Sequence, residues 1–406
     1  MKILVINVDI PFPPIGGGLM RTYQLLKSLS ELHEVTLVAF SYDKSYDSPD
    51  FPIELVPVPY EVPVLYEEMN HGDELTSKSA QNKLAFELNE PWYASYFKSA
   101  KMEDKLQSLG KRKFDLIVIE DSDMAQYISV LPKRIPKVLD FHNVYSLMAK
   151  RAFEKNNSAD IFELNRIIKY ETSVAGQCDL CFTCSEKEAD AVKQLLGLPH
   201  VEVIPNGVDT SYFKPTSASQ LPGSLLFTGT MSYEPNVEGI CWFVKEVLPL
   251  LIEKRPDIIL HIVGKDPVAR VLDLASSNIK VHGGVPDMRP HFEKAEIYIA
   301  PILSGGGTRL KILEAAACGK AIVSTTLGAE GIDLIDGKDI LFADTISDFT
   351  DAVFTLLQSE ENRNSLQVNV RNSVRVYDWT LIGAAVRNLT AGLVKTAFFF
   401  IIVIAI

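Results

Sequence analysis

The sequence has no excess of positive charge. Its 40 Lys and Arg stand against 52 Asp and Glu, a formal net charge of -12. A broad nucleic-acid footprint, which needs a basic stripe, is excluded as an expectation, and any anion must be met by a small local cluster of cations. The amino end lacks a charged-then-apolar leader with a small-residue cleavage site and enters a strand at once (Lys2-Ile-Leu-Val-Ile-Asn7), which predicts a cytoplasmic protein. Cysteine is scarce, at five residues, three of them spaced Cys178-x-x-Cys181-x-x-Cys184. That spacing reads as a metal or iron–sulfur clip or as a buried strand. The strand is the favoured reading, because no Gly or Pro lies between the thiols to wrap them around an ion, and thiols pack as small hydrophobes. Long apolar runs are missing except for Ala397–Ile406 at the carboxyl end.

What is present is a globular composition, 47% hydrophobic and 23% charged, over 406 residues, enough for two domains with separate cores. Short β-rich runs alternate with helical patterns, the mark of parallel α/β sheets. The first series is 3–8, 35–40, 53–58, 116–120, 137–141, 180–184 and 201–204; the second is 225–228, 258–263, 279–282, 297–300, 321–324 and 340–342. The expected organisation is a Rossmann-like domain over 1–205, a turn-rich linker over 206–223, a second Rossmann-like domain over 224–377, a helix over 378–395 and an apolar tail over 396–406. As a helix the tail would span about 16 Å, roughly half a bilayer core. An interfacial anchor, a buried tail and a truncated or frame-shifted end are the three readings, the last two favoured. Two such sheets facing one another leave a cleft at the carboxyl ends of their strands, where open α/β sheets bind ligands.

The densest chemistry lies in Ala300-Pro-Ile-Leu-Ser-Gly-Gly-Gly-Thr-Arg-Leu-Lys-Ile-Leu-Glu314. A strand ends at Pro301 and a helix is expected to start near Thr308. Gly305, Gly306 and Gly307 let the backbone approach a ligand, and free amides at the helix start suit a diphosphate. Arg309 and Lys311 supply the local positive charge that the chain otherwise lacks. Lys311 and Glu314 share a helix face, and Glu314 lies about 9 Å along the axis from the first turn, a span suited to diphosphate and ribose. The bland alternative is a solvated Lys–Glu pair behind a flexible loop. No acidic metal ligands cluster at this loop, so no metal and no cofactor are expected.

In the first domain, Pro11-Phe-Pro-Pro-Ile-Gly-Gly-Gly18 follows the opening strand. Gly16 and Gly18 take the first two positions of a dinucleotide fingerprint, but Arg21 occupies the third, and the Pro-rich prelude suits a long loop better than a tight turn. Asp140-Phe-His-Asn143 ends a buried strand, where side chains project toward ligands; the alternative for His142 is a hydrogen-bonded structural histidine. Ser185-Glu-Lys-Glu188 reads as a helix cap with an acidic first turn.

Together, Gly-Gly-Thr-Arg-Leu-Lys-Ile-Leu-Glu-Ala…Gly-Lys-Ala-Ile-Val-Ser-Thr and Gly328-Ala-Glu-Gly331 resemble the donor site of glycosyltransferase family 4, of GT-B fold. Val203-Ile-Pro-Asn-Gly-Val-Asp209 and Phe227-Thr-Gly-Thr-Met-x-Tyr-x-Pro-Asn236 resemble further signatures of that family. The likeness runs from Lys2 to about Trp379 and is nearest to sugar transferases of bacterial polysaccharide assembly. It implies a retaining hexosyltransferase with a nucleotide-diphosphate-sugar donor and a saccharide or lipid-linked saccharide acceptor. Further, it implies that Gly16, Gly17 and Gly18 touch donor or acceptor, that Gly229 belongs to the donor site, that Val285 bonds the base, and that His142 lies near the transferred sugar. Nucleic acid is not an expected partner; peripheral contact with the inner face of the plasma membrane is, if the tail is an anchor.

Two departures stand out. The family motif has two glutamates eight positions apart; only Glu314 is present, and Gly306 stands at the first position. The family's cation pair after the first strand of the second domain is also missing, the loop reading Met231-Ser-Tyr-Glu-Pro-Asn236. Arg309 and Lys311 are expected to carry the diphosphate charge instead. The rivals are a sugar-nucleotide epimerase, a sugar-nucleotide-binding regulator and, less favoured, a Rossmann oxidoreductase. Specificity is expected to reside partly in loops such as 60–98.

Overall fold

The computed structural model describes residues 1–42, 44–61, 89–156, 161–216 and 219–404. Most of the loop over 60–98 therefore lies outside the described residues. The chain divides into two compact units, 1–205 with 383–406, and 206–382.

The first unit holds a seven-stranded sheet in the order β3-β2-β1-β4-β5-β6-β7. Its strands are β1 (Lys2–Asn7), β2 (Glu34–Ser41), β3 (Glu54–Pro59), β4 (Leu116–Glu120), β5 (Lys137–Asp140), β6 (Leu180–Thr183) and β7 (Val201–Val203). Every pair is parallel, with Ile3 beside both Val35 and Leu116, and Glu120 beside Asp140. Strands covered by helices on both faces cannot alternate polar and apolar, and β4 (Leu-Ile-Val-Ile-Glu) is buried at every position. Even its terminal Glu120 is buried, which marks that carboxylate as a group with work to do inside the protein. Leu4, Ile6, Val38, Ile117, Ile119, Leu139 and Phe141 form the core.

The second unit repeats the plan: β10-β9-β8-β11-β12-β13, again parallel throughout. Here β8 is Ser224–Thr228, β9 Ile259–Val263, β10 Ile279–Val281, β11 Ile297–Ala300, β12 Ala321–Ser324 and β13 Leu341–Phe342. Alternate residues feed opposite faces. Leu225 and Phe227 pack with Phe243, Ile258 and Phe349, whereas Leu226 and Tyr298 pack with Ile312, Leu313 and Ala316. In both sheets the order reverses beside the first strand, between β1 and β4 and between β8 and β11, and a crevice opens at the carboxyl ends of such strands.

Five helices carry or flank the chemistry-bearing residues: α1 (Gly17–Ser30), α2 (Glu186–Leu195), α3 (Glu234–Trp242), α4 (Leu310–Ala317) and α5 (Trp379–Ile404). The cap read at Ser185 is formed, its hydroxyl accepting from the Glu188 amide while the Glu188 carboxylate accepts from the Cys184 amide. Residues 206–223, expected as a linker, group with the second unit. Gly207 explains part of this: a Cβ there would sit 2.7 Å from both Ile382 Cδ1 and the Tyr377 carbonyl, so only glycine lets these segments touch.

The carboxyl end also differs from the expectation of a helix over 378–395 and a separate tail. A single helix, α5, runs on to Ile404, because the apolar residues after Thr396 include nothing that ends a helix. From Gly383 it packs on the first unit, where Arg387 reaches Glu31 at 2.8 Å and the Ser28 carbonyl at 3.1 Å. Among the described residues no helix is long and apolar enough to cross a membrane. The side chains of 397–406 lie outside the described residues.

Candidate functional site

In the first unit, one face of α1 builds the locus. Residues 18, 21, 22 and 25 fall on that face at helical spacing. Gly16, with φ of 108°, turns the chain into the helix, a conformation open to glycine. Leu25 is buried in the unit's interior. Arg21, which spoiled the dinucleotide fingerprint, points inward: Nε donates to Asp140 Oδ2 at 2.8 Å, Nη2 to Oδ1 at 2.7 Å, and Nη1 to the Ile204 carbonyl at 2.7 Å. Thr22 Oγ1 donates to Glu120 Oε2 at 3.0 Å, and the same carboxylate oxygen lies 2.9 Å from His142 Nε2.

A cavity of about 320 Å³ opens here at the carboxyl ends of β1 and β4, lined by Gly16, Gly17, Gly18, His142, Asp121 and Asp123 among others. Asp121 holds a φ of 64°, a left-handed conformation that Asp tolerates better than most side chains, and this turns the chain at the end of β4. Burial pushes the Asp121 carboxyl up to about 6, despite the nearby His142. His142 behaves oppositely. Burial pulls it down, but the bond to Glu120 and the charges of Asp121, Glu120 and Asp140 win, raising it to about 9.

Glu120, Asp140 and His142 bring ligand atoms within 4.8 Å of one another. Their donor set does not suit a metal, because both Asp140 oxygens are committed to Arg21. The guanidinium already supplies the cation that this acidic site needs. None of the three cysteines of the CxxCxxC segment forms a disulfide; Cys181 and Cys184 are buried, and Cys181 lies within β6, the strand reading.

The second unit holds the remaining expected residues. Gly229 follows β8 with φ of 152°, and a Cβ there would lie 2.9 Å from Lys311 Nζ. Glycine thus makes room for the ammonium, which donates to Asn236 Oδ1 at 2.5 Å and stands 4.6 Å from the centre of the Phe227 ring. Gly264 packs on Gly229 so closely that a Cβ would fall 1.6 Å from its carbonyl oxygen. The Gly264 amide donates to Gly283, so the ends of β8, β9 and β10 line up and the loop bearing Val285 lies along them. Val285 itself is partly buried against the core on that face.

The helix after the glycine loop starts at Leu310, two residues later than expected, with Arg309 at its cap. The Arg309 guanidinium folds back toward the carbonyls of Gly306 and Gly307, and reaches that of Ser304 at 3.3 Å. Gly305, with φ of 92°, abuts Tyr233 and Pro235. Ser304 donates to Glu238 of α3 at 2.5 Å. Lys311 and Glu314 lie on α4, partly buried. Burial and the nearby Arg309 pull Lys311 down to about 7, with Glu314 opposing; burial pushes Glu314 up to about 7, with Lys311 opposing. Among the described residues no hydrogen bond acts on the Glu314 carboxylate, only burial and the charge of Lys311.

Gly16, Gly17, Gly18 and His142 therefore meet in the first unit. Gly229, Gly305, Gly306, Gly307, Thr308, Arg309, Lys311, Glu314 and the Val285 loop belong to the second. Sequence reasoning missed Glu120, Asp121 and Asp123, and saw in Arg21 only a broken motif. The available signals were an acidic residue closing a wholly apolar strand, and a cation three residues after Gly18.

A parallel sheet with a glycine loop ahead of a helix bearing Lys and Glu, preceded by a second sheet of the same winding, is the two-domain arrangement of the GT-B fold. The pattern described as Glycosyltransferase Family 4 matches residues 15–212, and that described as Glycosyl transferases group 1 matches 222–359. The chain belongs to this family, the group 1 glycosyltransferases of family 4.

An uncharacterized 44.6 kDa protein in the cps region of Klebsiella pneumoniae is 23% identical over 84% of this chain and 87% of its own length. The phosphatidyl-myo-inositol mannosyltransferase of Mycolicibacterium smegmatis is 28% identical over 48% of this chain and 53% of its own. Among solved structures, Anabaena HepE in complex with UDP and glucose superposes with a TM-score of 0.66 at 13% identity, over 96% of this chain and 99% of that one.

Proposed function

We propose that this chain transfers a hexosyl group, with retention of anomeric configuration, from a nucleotide-diphosphate sugar to a hydroxyl of a saccharide or lipid-linked saccharide, in polysaccharide or glycoconjugate biosynthesis. The observation that carries the reading is the Lys311 ammonium at the crossover of the second sheet. Glycine at 229 admits it, Asn236 steers it, and the backbone loop 305–308 adjoins its helix. A cation and backbone amides at a strand-end crevice are the groups that a departing diphosphate requires.

In the reaction, the bond between the anomeric carbon and the phosphate oxygen breaks, and a bond from that carbon to the acceptor oxygen forms. The acceptor proton passes to the departing diphosphate. Lys311 and the amides of 305–308 stabilise the growing charge, and Arg309 joins them when its guanidinium leaves the loop carbonyls. No metal is needed for that task. Glu314, half-buried and with no hydrogen-bonding side chain on it among the described residues, accepts from the ribose hydroxyls, and the backbone of Val285 meets the base. Support for this donor class also comes from the complex of HepE with UDP and glucose and from the mannosyltransferase relative.

The test is thermal stabilisation of the protein by a panel of nucleotide-diphosphate sugars, followed by turnover with candidate acceptors and NMR of the product anomer. Donor consumed equally with and without any acceptor, as an epimerase would do, or an inverted product would overturn the reading.

A further inference from the structure

The two ring nitrogens of His142 have different surroundings. Nε2 is 2.9 Å from Glu120 Oε2, which also accepts from Thr22 at 3.0 Å. Glu120 is only 1% exposed, so its carboxylate has no water to turn toward. Nδ1 faces Gly18, where a Cβ would lie 3.0 Å from Nδ1 and 3.7 Å from Cε1. Among the described residues no side chain bonds Nδ1, and the imidazole borders the 320 Å³ cavity. Glycine at 18 thus keeps open the nitrogen that Glu120 does not occupy.

We infer that Glu120 is a positioning residue: it holds His142 through Nε2–H so that Nδ1–H is presented as a hydrogen-bond donor to a hydroxyl or phosphate oxygen of the ligand in this cavity. On this assignment His142 gives a hydrogen bond and takes no proton, so it is not the base for an acceptor hydroxyl. The inference rests on the glycosyl-transfer reading only for the identity of that oxygen. Charged groups reach the ring from α1, the end of β4 and β5. Helix α1 brings Arg21, whose charge is spent on Asp140, and Thr22. The end of β4 brings Glu120, Asp121 and Asp123; β5 brings Asp140; and beyond β6 Cys184 lies 3.6 Å from the His142 carbonyl. Carboxylates outnumber cations, which favours a doubly protonated ring; burial opposes this and loses, leaving His142 at about 9.

The test is ¹⁵N NMR of the histidines in the full chain, with the His142 signal assigned by its loss in His142→Gln. The expected result is a ring protonated at both nitrogens through pH 8, titrating near 9. In Glu120→Gln, folded by circular dichroism, the midpoint should fall by at least about one unit, a tenfold change in acidity. The conservative Glu120→Asp should recover part of that fall. An unprotonated nitrogen at pH 7 in the wild type overturns the assignment, as does an unchanged midpoint in Glu120→Gln. If Glu120→Gln does not fold, the wild-type spectrum decides alone. A chain that turns over no donor yet titrates as stated fails the glycosyl-transfer reading and leaves the positioning intact.

Discussion

Replacing Arg21 with Met keeps most of the apolar stem and removes the guanidinium. The Arg21 and Asp140 side chains are 1% and 0% exposed, so bulk solvent does not solvate the carboxylate left behind. At least three hydrogen bonds disappear, two of them to a carboxylate. Their energies do not simply add, because one buried charge is left behind in every case. Glu120, paired beside Asp140 across β4 and β5, makes that leftover charge less welcome still. Breaking a buried pair from one side costs about 3–5 kcal/mol, and that is the expected loss for the first unit. The second unit should be untouched, so the readout must be local: hydrogen exchange of peptides from β1, β4 and β5 compared with β8 and β11 in the full chain. Adding Asp140→Asn to Arg21→Met should recover half or more of the loss, since no charge then remains unpaired. A loss below about 1 kcal/mol, or a double variant no better than the single one, would refute the claim that this pair is a buried, mutually dependent unit.

Glu314→Gln keeps shape and loses charge-assisted acceptance, so donor binding should weaken by about 1.5–3 kcal/mol, read by calorimetry, with nucleoside-free diphosphate unaffected. Lys311 sits at about 7, so at pH 8 diphosphate binding should draw in a proton. Calorimetry in buffers of different ionisation enthalpy measures that uptake, and Lys311→Met should abolish it. His142 is raised from 6.5 to about 9, so its contribution is full below pH 6.5 and disappears as pH rises through 9. The first unit should therefore lose up to about 3 kcal/mol over that window relative to His142→Gln, measured by urea unfolding at each pH. Gly264→Ala drives a methyl into the Gly229 carbonyl at 1.6 Å, and should unfold or rearrange the ends of β8 and β9, visible as lost exchange protection there.

The sequence by itself determined the two sheets. Strands buried on both faces must be continuous apolar runs, and Ile3–Val5, Ile117–Ile119, Leu225–Phe227 and Ile297–Ala300 could be little else. The glycines of 305–307 and the Lys311–Glu314 spacing were likewise legible, because backbone freedom and helix periodicity are local properties. Tertiary structure alone decided which charges face inward. Nothing local distinguishes Arg21 from a solvated helix cation, or Glu120 from a strand-end acid; their partners are 119 and 22 residues away. Arg309 is a case of the same kind, read as open to a ligand and found bonded to its own loop. The extent of α5 was missed for a related reason. A helix that starts with one unit and continues on the other is cut in two when each stretch is judged by its own polarity. Charge and partnership depend on distances across the fold, and sequence periodicity reports only distances along the chain.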